Sequence, residues 1–314
     1  MLSDIHDIHG IHDIHDIHGI HGTHDIHGIH GTHDIHGIHG THDRLPIEAT
    51  MRKLLLTLLI LLLPGFALAA FDHSHAQWDA LTKKHVIWLP GGHASQVDYS
   101  GFKADRQELK SYLDGLSAVT QSEYDGWNKP EKLAFLINAY NAYTVELILT
   151  EYPKVKSIKE LGSLITSPWK KRFFSLLGKP RNLDDVEHGM IRAPGVFDEP
   201  RIHMAANCAS IGCPALRSEA YVAGKLDAQL EVSVVRFVSD RSRNRFNPQN
   251  GRLEVSKIFD WYGKDFAARS GSVEAWLAQY ADKLADEPTY QQTIRDRKGK
   301  LEFLDYDWAL NDKK

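Results

Sequence analysis

His203, Cys208 and Cys213 stand five residues apart in the run Arg201-Ile202-His203-Met204-Ala205-Ala206-Asn207-Cys208-Ala209-Ser210-Ile211-Gly212-Cys213-Pro214, which holds both cysteines of the chain. Side chains of these types can do three kinds of chemistry. A cysteine nucleophile needs a base to form its thiolate and a third group to orient that base. For Cys208 the candidate bases are His188 and His203, with Glu187 or Asp185 as orienter. Asn207 and the backbone around Ala209-Ser210 could supply oxyanion donors, especially if a helix starts there. Such a site suits hydrolysis or transfer of an amide or thioester, with a peptide or small molecule as substrate. Alternatively, the two cysteines pair, as is usual in an exported chain. Or His188, His203, Cys208 and Cys213 ligate zinc, although their spacing fits no familiar zinc module. The fourth reading is a segment that is packed structure within a binding domain. No metal and no cofactor is expected from these motifs.

The compartment sets the weight of these readings. Met51-Arg52-Lys53 is a short basic start, and Leu54–Leu63 is apolar except for Thr57. Pro64-Gly65 ends the run, and Ala67-Leu68-Ala69 offers a cleavage site of small residues before Ala70. This is the pattern of a secretory signal peptide. The apolar run is shorter than the ~20 residues that span a bilayer. The expected product is therefore exported, periplasmic or secreted, with no membrane anchor after cleavage. Upstream, thirteen of the nineteen histidines recur at every third position from His6 to His42. A three-residue unit whose only bulky apolar residue is isoleucine cannot stack a core. Residues 1–50 read as a low-complexity tract outside the native product, with Met51 as initiator, 51–69 as signal peptide and 70–314 as one domain. In that last part 34 Lys plus Arg nearly balance 33 Asp plus Glu. Such a balance implies no nucleic-acid or anionic-membrane partner.

The elements that must position the chemistry read as α+β, a helix-rich single domain with a small sheet or hairpins. Leu109, Tyr112, Leu113 and Leu116 have helical spacing over 105–116. Asn128 and Pro130 mark the start of the strongest helix, about 131–150, whose broad apolar face runs from Leu133 to Ile148. Asn138 and Asn141 sit one turn apart on it, either tying backbone together or binding substrate. Further helices are predicted over 182–192 and 221–238. Asn250-Gly251 marks a hairpin. Ser256 caps a helix carrying Ile258, Phe259, Tyr262 and Phe266. Arg241, Arg243 and Arg245 read as a solvated loop face.

Several blocks resemble the domain of unknown function 547, found in bacterial exported proteins and in eukaryotes. They are Val97-Asp98-Tyr99, Leu133 through Ala142, Ser157-Ile158, Pro168-Trp169, Asp185 through Arg192, Arg201 through Leu216, Lys257 through Tyr262, and Asp305 through Asn311. They follow the family's order over roughly residues 75–312. Met204-Ala205-Ala206 departs from the family's more usual Phe-Ala-Leu type of stretch, apolar for apolar. The resemblance implies membership and leaves the chemistry to the residues.

Overall fold

Residue-by-residue patterning accounts for most of the helices. The computed structural model describes residues 70–163 and 165–313; the histidine tract and the signal-peptide segment lie outside the described residues. Among the described residues the helices of six residues or more are α1 (Ala76–His85), α2 (Tyr99–Ala104), α3 (Arg106–Ala118), α4 (Lys129–Leu149), α5 (Leu226–Ser239), α6 (Gly263–Ser270), α7 (Val273–Ala278) and α8 (Pro288–Arg295). Helix α4 starts with a reciprocal capping box: Asn128 accepts from the Glu131 N–H, and Glu131 accepts from the Asn128 N–H. The sequence predicted one buried face for it. Instead every residue from Leu133 to Leu149 is buried except Glu146, which pairs with Arg106 at 2.6 Å. A helix enclosed on all sides is the centre of its domain.

The strands are short. β1 (Val86–Trp88) and β2 (Ser95–Val97) form one antiparallel hairpin, and β3 (Phe174–Leu176) and β4 (Lys179–Arg181) another. In the third sheet β5 (Arg245–Asn247) pairs antiparallel with β6 (Arg252–Ser256), and β6 pairs parallel with β7 (Lys300–Leu304). The Asn250-Gly251 turn lies where predicted, with Gly251 at φ 66°. The parallel partner β7 arrives from the far end of the chain and had no local signal. The fold is α+β and helix-rich.

Two predicted helices are shorter than their patterns. Residues 221–225 do not continue α5, because tertiary bonds hold their backbone. Asn138 donates to the Tyr221 carbonyl and accepts from its N–H. Gln229 does the same for Ala220 O and Val222 N–H. In 182–192, an α-helical turn (Leu183–Val186) widens into a π-helical turn (Glu187–Ile191).

Two apolar clusters meet in the molecule. One surrounds α4 and includes Ile202 and Ala205. The other packs the β5–β6–β7 sheet against α5, Phe259, Phe266 and Trp276, and includes Met204. The 3₁₀ turn Pro200–Met204 thus has neighbouring residues in both, and His203 lies at the seam.

Candidate functional site

The loop after Met204 is built by amides. The Asn141 carboxamide donates to Ala205 O and accepts from the Asn207 N–H. Asn207 in turn accepts from the Ala209 N–H and donates to Pro214 O. Ala209 takes a left-handed conformation, φ 61°. No helix starts at Asn207, and the Asn207 carboxamide and the Ala209 N–H are engaged in closing the loop. Cys208 and Cys213 form a close pair with Cα atoms 6.1 Å apart, a disulfide spacing, and neither cysteine is free. Cys213 is buried and its sulfur accepts the Cys208 N–H at 2.8 Å; Cys208 is half-buried. The Cys208 sulfur lies 3.1 Å from both the Ser210 and the Tyr306 hydroxyls.

The C-terminal strand tail brings Tyr306 there. Gly212 N–H donates to Asp307 O, Ile211 N–H to Ala309 O, and Asn311 N–H to Ala209 O. Gly212 permits the approach: a Cβ on it would lie 2.9 Å from the Tyr306 ring and 3.0 Å from Asp307 O. Arg243 braces the other side by donating to Cys213 O at 2.5 Å and pairing with Asp240 at 3.0 Å. The arginine run is therefore not a solvated face. Arg243 is largely buried, and Arg241 and Arg245 pair with Asp286 and Glu254.

At the seam lies an ionic cluster. The π turn closes with Arg192 N–H donating to Glu187 O at 2.9 Å and carries Glu187 inward and His188 to the surface. Such π turns recur at functional sites. Glu187 accepts from the Tyr262 hydroxyl at 2.8 Å. Asp265, on α6, accepts from Arg192 Nε at 2.7 Å, from Arg192 Nη2 at 3.1 Å and from His203 Nε2 at 2.8 Å. The His203 ring stacks on Tyr262 at 3.8 Å, and the Arg192 guanidinium lies 4.7 Å from the same ring. At the rim Arg192 Nη1 donates to His188 Nδ1 at 2.5 Å, and His188 Nε2 lies 3.8 Å from Asp184. An ionised carboxylate only accepts. Asp265 therefore fixes the proton of His203 on Nε2 and leaves the lone pair on Nδ1.

The charges follow from these contacts. Burial raises the Asp265 carboxyl, but bonds from His203 and Arg192 outweigh it and hold it far below the usual range. Burial would raise Glu187 too; His188, His203, the Tyr262 hydroxyl and Arg192 overcome it. Burial lowers His203 below its ordinary 6.5 despite Asp265 and Glu187. Burial, then Glu187, lifts Tyr262 well above 10.0. Burial also raises Tyr306. Perturbed groups gathered around one buried point are a mark of functional sites.

Neither predicted base hydrogen-bonds Cys208: His203 is held by Asp265, and His188 by Arg192. The two predicted orienters serve elsewhere. Glu187 faces Tyr262, and Asp185 caps its own turn through Asn182. Asn138 and Asn141 have their amides committed to backbone. Among the described residues no group of three or more His, Cys, Asp or Glu is placed to hold a metal ion, and no helix is long and apolar enough to cross a membrane.

Comparison with known families gives one match, to the family described as a protein of unknown function, DUF547, over residues 124–238. Residues 124–238 form a DUF547 domain. No curated protein and no solved structure matches the chain. The DUF547 domain holds Glu187, Arg192, His203 and the cysteine pair. Tyr262, Asp265 and Tyr306 lie beyond the matched residues, so the cluster is completed from outside the DUF547 domain. Reading the sequence missed Arg192, Tyr262, Asp265 and Tyr306 as site residues. Arg192, Tyr262 and Tyr306 lie in the blocks that carry the family resemblance, and Asp265 is an acid three residues from Tyr262 and next to Phe266 in an otherwise apolar stripe, where a lone charge needs a partner.

Proposed function

We propose that the protein is an exported thiol-dependent hydrolase or acyltransferase acting on an amide or thioester, with Cys208 as nucleophile. The observation that carries this reading is the Asp265–His203 bond, 2.8 Å long and buried. It supplies the oriented imidazole that thiol catalysis requires, with a lone pair on Nδ1. Asp265 rather than Glu187 is the orienter, and His203 rather than His188 is the base. The active form is the reduced one: a dithiol reductant frees Cys208 and Cys213 together. The Tyr306 and Ser210 hydroxyls then stabilise the Cys208 thiolate. His203 Nδ1 takes the Cys208 thiol proton as the sulfur adds to the carbonyl carbon, the imidazole passes that proton to the leaving amine or thiol as the C–N or C–S bond breaks, and water or an acceptor nucleophile gives its proton to Nδ1 as it displaces the acyl group, after which the proton returns to the Cys208 sulfur. Export rests on the basic, apolar and small-residue segments of 51–69, and N-terminal sequencing of the product is expected to start near Ala70.

A second reading is favoured by a specific observation. The polar contacts of the Cys208 sulfur are hydroxyls rather than imidazoles. In that reading Cys208–Cys213 is a permanent staple of a non-catalytic binding domain. Iodoacetamide labelling across pH 5 to 9, before and after a dithiol reductant, separates the two. For an enzyme, reduced Cys208 alkylates well below the ordinary thiol pKa of about 8.5, faster than Cys213. His203→Gln and Tyr306→Phe each shift its profile upward. A reduced Cys208 that titrates like a free thiol and ignores both substitutions leaves the staple as the reading.

A further inference from the structure

Charge that balances over the whole domain is not evenly spread over its surface. Between residues 154 and 172 the chain has six cations, Lys154, Lys156, Lys159, Lys170, Lys171 and Arg172, and one acid, Glu160. All six cations are exposed, and among the described residues none forms an ion pair. Glu160 is turned onto the Lys156 N–H at 2.8 Å. The fold gathers the two basic runs: the 3₁₀ turns Ile158–Leu161 and Pro168–Lys170 pack against each other. The Trp308 ring joins them, with the Lys159 ammonium 4.5 Å from its centroid and the Trp169 ring at 5.8 Å. Between the two turns stands Ile165, 95% exposed. Ser163 holds it there. Its N–H donates to Thr166 O at 2.9 Å, and its hydroxyl accepts from the Ile165 and Thr166 N–H groups at 3.3 and 3.0 Å. A Cβ on Gly162 would lie 2.8 Å from both Pro168 Cδ and Thr166 O, so this turn is closed tightly.

One exposed apolar side chain is ordinary on a protein surface. Six unpaired cations gathered around one that is held out by a hydrogen-bonded turn are not. A soluble polyanion would satisfy the cations and gain nothing from Ile165. An anionic bilayer uses both: its headgroups face the cations, and its acyl boundary takes the isoleucine. Trp169, half-buried at the base of the turn, is of a type that favours the same interface. We propose that this face docks the protein reversibly on an anionic lipid surface, with Ile165 entering the headgroup boundary and the six cations standing over the headgroups. Every group that makes the contact is already exposed, and none of them belongs to the cysteine pair or the ionic cluster, so the proposal does not depend on Cys208 being a nucleophile.

The test is co-sedimentation of the purified protein, as the cell delivers it, with vesicles of phosphatidylcholine alone or with about one-quarter phosphatidylglycerol. Binding is expected only with the anionic vesicles, and is expected to fall as salt is raised from about 0.05 M to about 0.5 M. The triple variant Lys170→Gln, Lys171→Gln, Arg172→Gln is expected to weaken binding by at least about tenfold, and Ile165→Ser by at least about threefold. Because all four side chains are exposed, the melting temperatures of these variants should match the parent's. In Ile165→Trp, the new indole is expected to shift its emission to the blue when anionic vesicles are added. Sedimentation no greater with anionic than with neutral vesicles overturns the proposal, as does binding that the triple variant keeps in full. Binding that Ile165→Ser leaves unchanged overturns it too, and assigns the face to a soluble polyanion such as polyphosphate.

Discussion

Two sets of buried polar groups lie side by side in this molecule and end differently. The carboxamides of Asn138, Asn141, Asn207 and Gln229 end on backbone. Each gives a donor to a carbonyl and an acceptor to an N–H. The groups around Asp265 end mainly on one another, as carboxylate, guanidinium, imidazole and phenol. The amides are neutral and fix the path of the chain. The ionic cluster stores charge at the seam of two apolar cores, keeps a lone pair on His203 Nδ1, and reaches the surface through His188. Shape can be held by amides alone. Charge buried this way is costly, and the proposed chemistry is therefore placed at the cluster rather than at the amides.

The largest expected effect comes from removing the anion of the cluster. Asp265→Ala leaves Arg192 without its carboxylate and His203 without its acceptor, and is expected to cost about 3 kcal/mol. Asn141→Ala leaves Ala205 O and the Asn207 N–H unpaired and is expected to cost about 2 kcal/mol. Urea unfolding of both variants measures the difference. Equal losses at neutral pH would remove the energetic distinction between the two sets.

Acid sharpens the contrast. His203 has a folded pKa below its ordinary 6.5, so the unfolded chain binds that proton more tightly. Its contribution is complete above pH 6.5 and declines as the pH falls below it. Glu187 and Asp265 are lowered from 4.5 and 3.8, so their contributions are complete above those values and are lost in stronger acid. All three act in the same direction. The variant lacks only the Asp265 titration, so the Asp265→Ala penalty is expected to shrink as the pH falls through 3.8, while the Asn141→Ala penalty stays level. Parallel stability curves for the two variants would show that the cluster is not ionised as described.

How far the sequence was legible follows the same division. Helix α4, its capping box and the hairpin at Asn250-Gly251 are local patterns and could be read. Glu187 and His203, singled out in the sequence, both face Tyr262, whereas the Cys208 sulfur contacts the Ser210 and Tyr306 hydroxyls. Which of them touch was not legible. His203 meets Asp265 across 62 residues, and Tyr306 meets Cys208 across 98. The π turn was also hidden, because a helical apolar pattern over 182–192 does not reveal one extra residue in a turn. Residues 221–225 looked helical only because Asn138 and Gln229, which hold them out of the helix, act through side chains.

Gly212 tests the strap that joins the two regions. The Cβ of Gly212→Ala must displace the Tyr306 ring or the Asp307 carbonyl. The ring rests on Trp261 and Trp308 and the carbonyl is held by the Gly212 N–H, so the expected cost is about 1 to 2 kcal/mol. The same change should draw the Tyr306 hydroxyl away from Cys208. Reduced Gly212→Ala protein is then expected to show a slower Cys208 alkylation below pH 8 than the parent, moving toward the rate of Tyr306→Phe. A variant with parental stability and parental alkylation would mean that the strap does not set the position of Tyr306.

The smallest effect is expected at the rim. His188 accepts from Arg192 Nη1, yet its side chain is one-third exposed and its distance to Asp184 is 3.8 Å, too long for a hydrogen bond. Arg192 keeps both of its bonds to Asp265 when the imidazole is gone, and water can replace His188 as acceptor. His188→Ala is therefore expected to change stability by less than about 1 kcal/mol, well under the Asp265→Ala loss, in the same urea experiment. In reduced protein it is also expected to leave the Cys208 alkylation profile close to that of the parent, whereas His203→Gln moves it. If His188→Ala destabilises as strongly as Asp265→Ala, the ionic cluster does not end at Arg192 but extends to the surface. If it shifts the Cys208 profile instead, His188 takes the place of His203 as the base.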